Sequence, residues 1–312
     1  MAIITAQFLA AVFTNFSAVF EDAFNASQTG VPDICQEVNS ETEMESYNWL
    51  GSVPQMQQWV AERKPAGAAA NNFVIRNLDW EASIEVDRNT FEDDKLHLVE
   101  PRIRDLAHEA ARHPRQLAFS LLTGGFTSKG WDGLNFFSDH SNGGKVWLNN
   151  NLAAIALNST NYGTAIATLR GAKDDRGRPL DPDLSPKNTQ LIVGPLLQEV
   201  ALQILHSDFT VGPAAASGGG GAGTLAANIW KGSAAPEVTA YIKDHSWFVT
   251  YNGRAGSRPF IFQWRKKPQF TALMDPNSSE VVFMRKKYYY GADSRYNVGY
   301  GFFPFAVGSS VA

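Results

Sequence analysis

The sequence predicts an α+β fold, in which helices and strands are interleaved without the regular alternation of a βαβ protein. Helical spacing of apolar residues is clearest in the first third of the chain, whereas short apolar runs bounded by Gly and Pro fill its last part. The chain has 312 residues, 44% of them hydrophobic and 19% charged, so it can bury a sizeable core in one large domain or two intertwined ones. Its twenty Phe, nine Tyr and eight Trp suit a strand-rich protein or large buried contacts between chains.

Residues 6–26 are predicted to form the first helix, which ends before Gly30 and Pro32. Its apolar residues follow helical spacing: Leu9, Val12, Phe13, Phe16, Val19, Phe20 and Phe24. A helix with so many Phe must pack either on its own body or on a neighbouring chain.

Residues 47–88 are predicted to form a long β-hairpin arm. The stretch "YNWLGSVPQMQQWV" leads outward, the small-residue stretch "AERKPAGAAANN" forms the tip, and "NFVIRNLDWEASIEVDR" returns. On the way back, Trp80, Ala82, Ile84 and Val86 alternate with polar residues, as in a half-buried strand. Because the tip offers few core residues, we expect the arm to project from the body.

Residues 90–122 are predicted to form the longest helix. Thr90 and Asp93 resemble a capping box at its start. Pro101 and Pro114 are expected to start, kink or segment it.

The remaining chain is predicted to contain a helix near 161–171, a strand that ends at Val193 and a helix that begins at Pro195. Residues 212–223 form a low-complexity loop rich in Gly and Ala. Several short strands follow, and the last two are "EVVFMRKKYYYGA" and "RYNVGYGFFPFAVG".

The net charge of −4 is unevenly distributed along the chain. The first 62 residues contain eight acidic residues and no Lys or Arg, so they sum to −8, and the remainder sums to +4. A generic DNA-binding protein would be clearly basic, and this class is excluded. The acidic segment is either a solvated face or a surface that docks on the mildly basic body of a neighbouring copy.

Cys35 is the only cysteine, so no intrachain disulfide can form, which fits a reducing compartment. Its acidic neighbours favour a packing role over a nucleophilic one. No apolar run reaches the ~18 residues that a membrane span requires. The stretch "FLAAVFTNFSAVF" lacks a basic flank and is not predicted to be a secretory signal, so we expect a protein that is made in the cytoplasm.

The segment "GWDGLNFFSDHSNGG" concentrates Asp132, Asp139 and His140 among glycines and aromatics. Short polar side chains often bond to the backbone of their own loop, and Asp132-Gly133 is a turn former, so a structural corner is favoured. The alternative is a metal-dependent hydrolase that uses Asp132, Asp139 and His140. A divalent metal usually needs more ligands than the adjacent Asp139 and His140 offer, and no further one is evident nearby.

Two other motifs imitate functional sites. His108 and His113 in "HEAARH" lie five positions apart, about 140° around a helix, so they cannot share a metal as an i, i+4 pair does. Gly218, Gly220 and Gly223 satisfy a G-x-G-x-x-G pattern, but no clear strand precedes it and the P-loop lysine is missing. We therefore predict no catalytic, cofactor-binding or metal-binding residue.

The order of these segments resembles the major head subunit of Mu-like tailed phages, a family of major capsid proteins with the HK97 fold. The resemblance rests on "YNWLG", "TFEDD", "GWDGLNFFSDHS", "NTQLIVGPLLQEVALQIL", "RPFIFQWRKKPQF" and "YYYGADSRYNVGYGFFPFAVG", which follow one another along nearly the whole chain.

The resemblance implies an HK97-like α+β fold with four parts. Residues 1–40 would form an N-terminal arm and 50–80 an extended β-hairpin loop. Residues 41–49, 81–149 and 271–312 would form a peripheral domain with a long spine helix, and 150–270 an axial domain. The expected inter-subunit contacts are Phe13, Phe16, Phe20, Phe24, Trp59, Arg63 and Lys64, and the structural corner contains Asp132, Gly133, Asp139 and His140.

The function implied is that of a non-enzymatic capsid protein whose pentamers and hexamers tile an icosahedral shell around double-stranded DNA. The expected partners are a separate scaffolding protein, a portal and minor head or decoration proteins, with DNA held weakly and no membrane. Assembly is expected in the bacterial host cytoplasm, and the mature location is the virion. The alternative within the same fold is an encapsulin-like nanocompartment shell, and cross-linking of subunits is not expected.

Overall fold

The computed structural model describes residues 5–27, 30–47, 73–93, 95–140, 148–174, 177–211, 225–254, 256–274 and 280–311. The helices are α1 (Ala6–Ala26), α2 (Arg88–Glu92), α3 (Glu100–Gly124), α4 (Ser159–Arg170), α5 (Gln198–His206) and α6 (Glu280–Arg285). The strands are β1 (Cys35–Asn39), β2 (Met44–Ser46), β3 (Val74–Arg76), β4 (Leu78–Asp87), β5 (Thr189–Val193), β6 (Phe209–Val211), β7 (Leu225–Ala227), β8 (Ala235–Val238), β9 (Trp247–Tyr251), β10 (Phe260–Leu273), β11 (Lys287–Tyr300) and β12 (Ala306–Ser309). Helices and strands are mixed without a βαβ rhythm, which confirms the predicted α+β class.

The first sheet has the strand order β1-β10-β11-β4. Its centre is an antiparallel pair, β10 and β11, which runs from Phe260 opposite Tyr300 to Leu273 opposite Tyr289, with register shifts between Trp264 and Gln269. Strand β4 pairs antiparallel with β11, and β1 pairs parallel with β10. The residues of β4 that were predicted to face the core are its less exposed ones, as expected for a strand with one solvated face.

Helices α1 and α3 pack against this sheet. Phe16 of α1 packs edge-on against Tyr290 of β11, with ring centroids 5.3 Å apart, and Ile103 of α3 belongs to the same buried cluster. Thr5 caps α1, because its side chain accepts a hydrogen bond from the Phe8 amide at 3.1 Å.

The second sheet has the order β12-β9-β5-β8 and lies against α4 and α5. All five residues of β9 are buried, which explains why "WFVTY" reads as a continuous apolar run instead of an alternating one. A third buried cluster joins the two sheets, and in it Phe248 of β9, Phe260 of β10 and Phe119 of α3 meet the aromatic pair Phe136–Phe137.

The predicted helix over 90–122 is wrong at its beginning. The structure divides it into α2, a 3-10 turn at Leu96–Leu98 and α3, which carries Pro101 in its first turn. Proline is accommodated there because the first amides of a helix have no intrahelical partner. The expected capping box is also wrong, because Asp87 caps α2 by accepting from the Asn89 amide at 2.8 Å.

Sheet membership differs from the predicted domain boundaries at three places. Strand β1 lies within the predicted N-terminal arm, 1–40, yet belongs to the first sheet. Strand β10 was expected mostly in the axial part, 150–270, but its pairing with β11 places it in the first sheet. Strand β12 was expected in the peripheral part, yet it pairs antiparallel with β9 in the second sheet. Pairing between distant segments decides these positions, and no local pattern in the sequence encodes it.

Candidate functional site

The loop between α3 and residue 140 turns back on itself through short-range bonds. The Phe137 amide donates to the Gly125 carbonyl at 2.9 Å, and the Phe136 amide donates to the Ser128 carbonyl at 3.0 Å. Gly133 has φ +84°, a region that favours glycine, which explains the Asp-Gly turn. Asp132 accepts the Leu134 amide through Oδ1 at 3.1 Å, an Asx-turn of the kind predicted.

His140 lies at the centre of this loop with a fully buried side chain. Its Nδ1 is 2.6 Å from Oδ2 of Asp132, and its Nε2 is 3.1 Å from the carbonyl oxygen of Phe136. Its ring stacks on Phe303, with centroids 3.7 Å apart and planes 7° from parallel. The side chain therefore connects a turn after α3 to the segment that leads into β12.

This geometry does not fit the metal-dependent hydrolase. A carbonyl oxygen can only accept a hydrogen bond, so Nε2 of His140 must act as the donor to Phe136, and Nδ1 is engaged by Asp132. Asp139 pairs in a β-bridge with Asn149. Among the residues that the structure describes, no group of three His, Cys, Asp or Glu side chains is arranged to hold a metal ion.

Asn150 is a second buried polar residue of this corner, and sequence analysis did not identify it. Its side chain donates to the carbonyls of Phe136 at 2.9 Å and Phe303 at 3.3 Å, and it accepts the Ser138 amide at 2.9 Å. Because Gly308 donates its amide to the Asn150 backbone at 3.0 Å, the corner is also joined to β12. The triplet "NNN" at 149–151 offered no signal as to which Asn is buried.

Nearly all of the outward stretch of the predicted hairpin arm, 47–88, lies outside the described residues, and the later part of its return stretch, β4, pairs with β11 of the first sheet instead. A short ribbon lies where the chain enters and leaves this segment. Strands β2 and β3 pair antiparallel, from Met44 opposite Arg76 to Ser46 opposite Val74. The pair continues to the Tyr47 amide, which donates to the Phe73 carbonyl at 2.7 Å. The predicted contact residues Trp59, Arg63 and Lys64 lie outside the described residues, as does the glycine-rich motif at 218–224.

The four phenylalanines of α1 that were predicted as inter-subunit contacts do not all face outward, as a contact with a neighbouring subunit would require. Phe16 and Phe20 are buried in the chain's own core, at 0% and 2% exposure. Phe20 packs against Phe270 of β10 at 5.2 Å. Phe24 is partly buried in the same cluster, and the partly buried Phe13 stacks on Phe270 with ring centroids 5.7 Å apart. The expectation is therefore corrected for Phe16 and Phe20, because α1 closes the first sheet of its own chain.

The two histidines of "HEAARH" lie on α3, and each bonds to a different segment of the chain. His108 Nδ1 is 2.6 Å from Ser27 Oγ, and His113 Nδ1 is 2.7 Å from the hydroxyl of Tyr296. Burial lowers the pKa of His113 below its usual value, and the nearby Glu109 carboxylate opposes this effect. Burial also raises the pKa of the Cys35 thiol far above its usual range, which fits its predicted packing role.

The same fold is found in capsid proteins of tailed phages. A subunit of the procapsid of bacteriophage JBD30 superposes with a TM-score of 0.59 and 24% identity, over 99% of this chain and 77% of that chain. A virus-like particle from Pyrococcus furiosus gives a TM-score of 0.52 at 10% identity, over 96% of this chain and 99% of that chain. The class of protein that the two sheets, the long helix and the hairpin base define is thus the HK97-like capsid fold.

The chain belongs to the family of the Mu-like prophage major head subunit gpT, whose model matches residues 9–154, 142–242 and 219–312. It is 26% identical over 307 residues to the Mu-like prophage FluMu major head subunit of Haemophilus influenzae, covering 98% of this chain and 74% of that protein. It is 25% identical over 305 residues to the major capsid protein of Escherichia phage Mu, with the same two shares of 98% and 74%.

The chain is therefore a major capsid protein, a structural component of the virion head, and its family is not enzymatic. The corner around His140 accordingly has a structural explanation, as a junction between α3 and the segment before β12. None of the helices in the described ranges has the length and apolarity needed to cross a bilayer.

Proposed function

We propose that copies of this chain assemble into pentamers and hexamers that tile an icosahedral shell around phage double-stranded DNA. The observation that carries this proposal is the match of the head-subunit family along almost the entire chain. The subunit alone has no chemistry to perform, so its function must lie in the surfaces that it offers to other copies.

The exposed apolar side chains support self-association, because they occur around both sheets. Near the first sheet, Leu98 and Met284 are 56% and 71% exposed. Near the second, Leu196, Phe209 and Ile229 are 59%, 62% and 79% exposed. Large exposed hydrophobic side chains are typical of interaction surfaces, and a shell subunit needs such contacts at more than one place.

We further propose that the first sheet with α1 and α3 is the peripheral part of the subunit, and that the second sheet with α4 and α5 is the axial part. The extended loop carries Arg63 and Lys64 near its tip, and the acidic residues before position 63 offer a charge-complementary partner on another copy. Trp59 of the same loop and the partly buried Phe13 and Phe24 stay within this proposal as contact residues.

The partners proposed are a separate scaffolding protein, a portal and minor head or decoration proteins, with assembly in the host cytoplasm. The near-neutral net charge of −4 supports weak, non-specific confinement of DNA, because tight binding requires many basic side chains on the phosphates. A genome that is held loosely can leave the shell again.

The test is electron microscopy of purified protein after size-exclusion chromatography with light scattering. We expect closed shells, or rings with five-fold and six-fold symmetry. Particles that contain nucleic acid when they are made with the packaging proteins would separate a phage head from an encapsulin-like compartment that shares the fold. A stable monomer in every condition, including co-expression with neighbouring head genes, would contradict the proposal.

A further inference from the structure

Five polar side chains form a continuous interior chain of hydrogen bonds at the base of the hairpin arm. They come from three parts of the chain: Ser40, Glu45 and Tyr47 around β2, Asn77 between β3 and β4, and Gln263 in β10. Ser40, Tyr47, Asn77 and Gln263 are 5%, 3%, 4% and 0% exposed.

Gln263 is the centre of the network. Its Oε1 accepts from the hydroxyl of Tyr47 at 2.7 Å, and its Nε2 donates to Oδ1 of Asn77 at 2.7 Å. The same Nε2 lies 3.3 Å from the Ile75 carbonyl in β3. One side chain of the central sheet therefore holds both strands of the β2–β3 ribbon.

The network continues from Asn77 to Glu45. The Asn77 amide donates to Ser40 Oγ and to the Thr42 carbonyl, both at 2.9 Å. Ser40 Oγ in turn donates to Glu45 Oε1 at 2.8 Å, and the amide of Glu41 donates to the same oxygen at 3.0 Å. The hydrogen bond from Ser40, aided by those from Glu41 and Thr42, lowers the pKa of Glu45, so the ionised form terminates the network.

Stability alone does not account for so many buried polar groups. A well-packed apolar core gives as much stability, and a polar network that loses one partner costs more than it contributes. What hydrogen bonds add is direction, because each requires a narrow range of distances and angles. Tyr47 is the last described residue before the segment predicted as the arm and Phe73 the first after it, and the Tyr47 amide donates to the Phe73 carbonyl at 2.7 Å. The network therefore holds the two ends of this segment.

We propose that Tyr47, Asn77 and Gln263 are positioning residues that fix the direction in which the hairpin arm leaves the subunit, and thereby the geometry of contacts between subunits. This inference rests on the proposed function, in which the arm contacts a neighbouring copy. An arm that is restrained at its base limits the range of angles at which neighbouring copies meet, whereas an arm free to pivot there allows a wider range.

A matched control is available because a second buried tyrosine donates a similar bond elsewhere. Tyr162 of α4 is 0% exposed, and its hydroxyl is 2.9 Å from Ser233 Oγ, in the part of the chain around the second sheet. Tyr47→Phe and Tyr162→Phe each remove one buried hydroxyl from a ring of unchanged shape. A general loss of stability would affect assembly equally in both variants.

The experiment compares the full-length wild type with Tyr47→Phe, Gln263→Met and Tyr162→Phe. Circular dichroism and thermal unfolding first establish that each variant folds. Native-state hydrogen exchange then reports the amides of Met44 to Tyr47, which we expect to exchange about tenfold faster in the two network variants, the effect of weakening local closure by roughly 1.4 kcal/mol. Electron microscopy gives the distribution of particle diameters for shells assembled under the same conditions, with co-expressed head proteins where the wild type needs them.

The inference predicts one diameter class for wild type and Tyr162→Phe, and several classes or open sheets for Tyr47→Phe and Gln263→Met. Uniform shells of wild-type diameter from both network variants would overturn it and leave the proposed function intact. Equal disturbance in Tyr162→Phe would also overturn it, because stability would then be the cause. A wild type that forms no shells in any condition would overturn the proposed function and the inference with it.

Discussion

The imidazole of His140 lies 3.7 Å from the ring of Phe303 and only 7° from parallel to it, although the two residues are far apart in sequence. His140 follows the long helix α3, and Phe303 precedes β12 of the second sheet. Asp132 fixes the other edge of the imidazole at 2.6 Å, and Trp131 also stacks on Phe303, at 5.2 Å. This stack fixes the 3-10 turn at Phe303–Phe305, which connects β11 of the first sheet to β12 of the second, to the corner after α3.

Replacement of His140 by Ala is expected to lower the free energy of unfolding by about 2–4 kcal/mol, because it creates a cavity beside Phe303 and leaves Oδ2 of Asp132 without its imidazole partner. Chemical denaturation of the monomer measures the loss. His97→Ala serves as the control, since His97 is exposed in the 3-10 turn before α3 and should change stability by less than about 0.5 kcal/mol. Equal effects of the two substitutions would contradict the structural explanation of the corner.

Much of the fold is encoded locally and could be predicted from the sequence. Helix α1 has the bounds that the spacing of Leu9 and Phe16 indicates, and β4 exposes the alternate residues that its pattern requires. The return stretch of the predicted hairpin does form strands, β3 and β4, but the partner of β3 is β2, which precedes the predicted arm. The approximate positions of these elements needed only periodicity and turn chemistry.

The arrangement of the same elements could not be predicted, since it depends on partners that are distant in sequence. The chain crosses between the sheets after β9 and again after β11, and neither crossing has a signature in the residues beside it. Asn150 and Gln263 are fully buried although their types are usually exposed, because backbone carbonyls and Asn77 from other segments satisfy them. The loop that contains Asp132 and His140 could be selected from its sequence, but Phe303, which stacks on His140, could not, because it lies far along the chain.

Acid sensitivity is expected at His113, whose burial lowers its pKa below 6.5. The unfolded chain then binds a proton at His113 more readily than the folded chain does. The contribution of neutral His113 to the free energy of unfolding is therefore present above pH 6.5 and is lost as the pH falls through the folded-state pKa. The groups around His113 are the Tyr296 hydroxyl, the Trp80 ring and the Glu109 carboxylate. His113→Gln should therefore lose less stability than wild type between pH 7.5 and 5, as measured by urea denaturation, whereas the exposed His97→Gln should follow the wild-type curve.

Gly194 is expected to be intolerant of a side chain. A Cβ atom at this position would lie 2.3 Å from the carbonyl oxygen of Ile242, so the backbone on one side must move. Gly194→Ala should cost about 1–3 kcal/mol, the usual range for an overpacked position. Gly30→Ala is the matched control, because a Cβ there would meet nothing within 4 Å, and it should be neutral within about 0.5 kcal/mol. Thermal unfolding of the two variants distinguishes a steric cause from a general effect of replacing glycine.

The ion pair between Arg115 and Glu237 joins helix α3 to β8 of the second sheet. Both side chains are only 27% exposed, and the Arg115 guanidinium also lies 4.8 Å from the centre of the Phe119 ring. A double-mutant cycle with Arg115→Met and Glu237→Gln should give a coupling energy of about 1 kcal/mol, the upper end for partly exposed pairs. The pair Arg112–Glu109 within α3 is more exposed, at 58% and 46%, and its cycle should give about 0.3–0.5 kcal/mol. A coupling energy for Arg115–Glu237 no larger than that for Arg112–Glu109 would show that the ion pair does not hold α3 to the second sheet.

The last prediction separates the two roles that a phenylalanine of α1 can have. Phe16 is 0% exposed and packs on Tyr290, so Phe16→Ala should destabilise the isolated subunit by about 3–5 kcal/mol. Phe13 is only partly buried and stacks on Phe270 with centroids 5.7 Å apart, so Phe13→Ala should cost the subunit less. If the outer side of α1 also contacts a neighbouring copy, Phe13→Ala will reduce shell formation more than its loss of monomer stability explains. Measuring unfolding and assembly in the same buffer tests this, and assembly losses that simply follow monomer stability in both variants would assign α1 to the interior of its own chain alone.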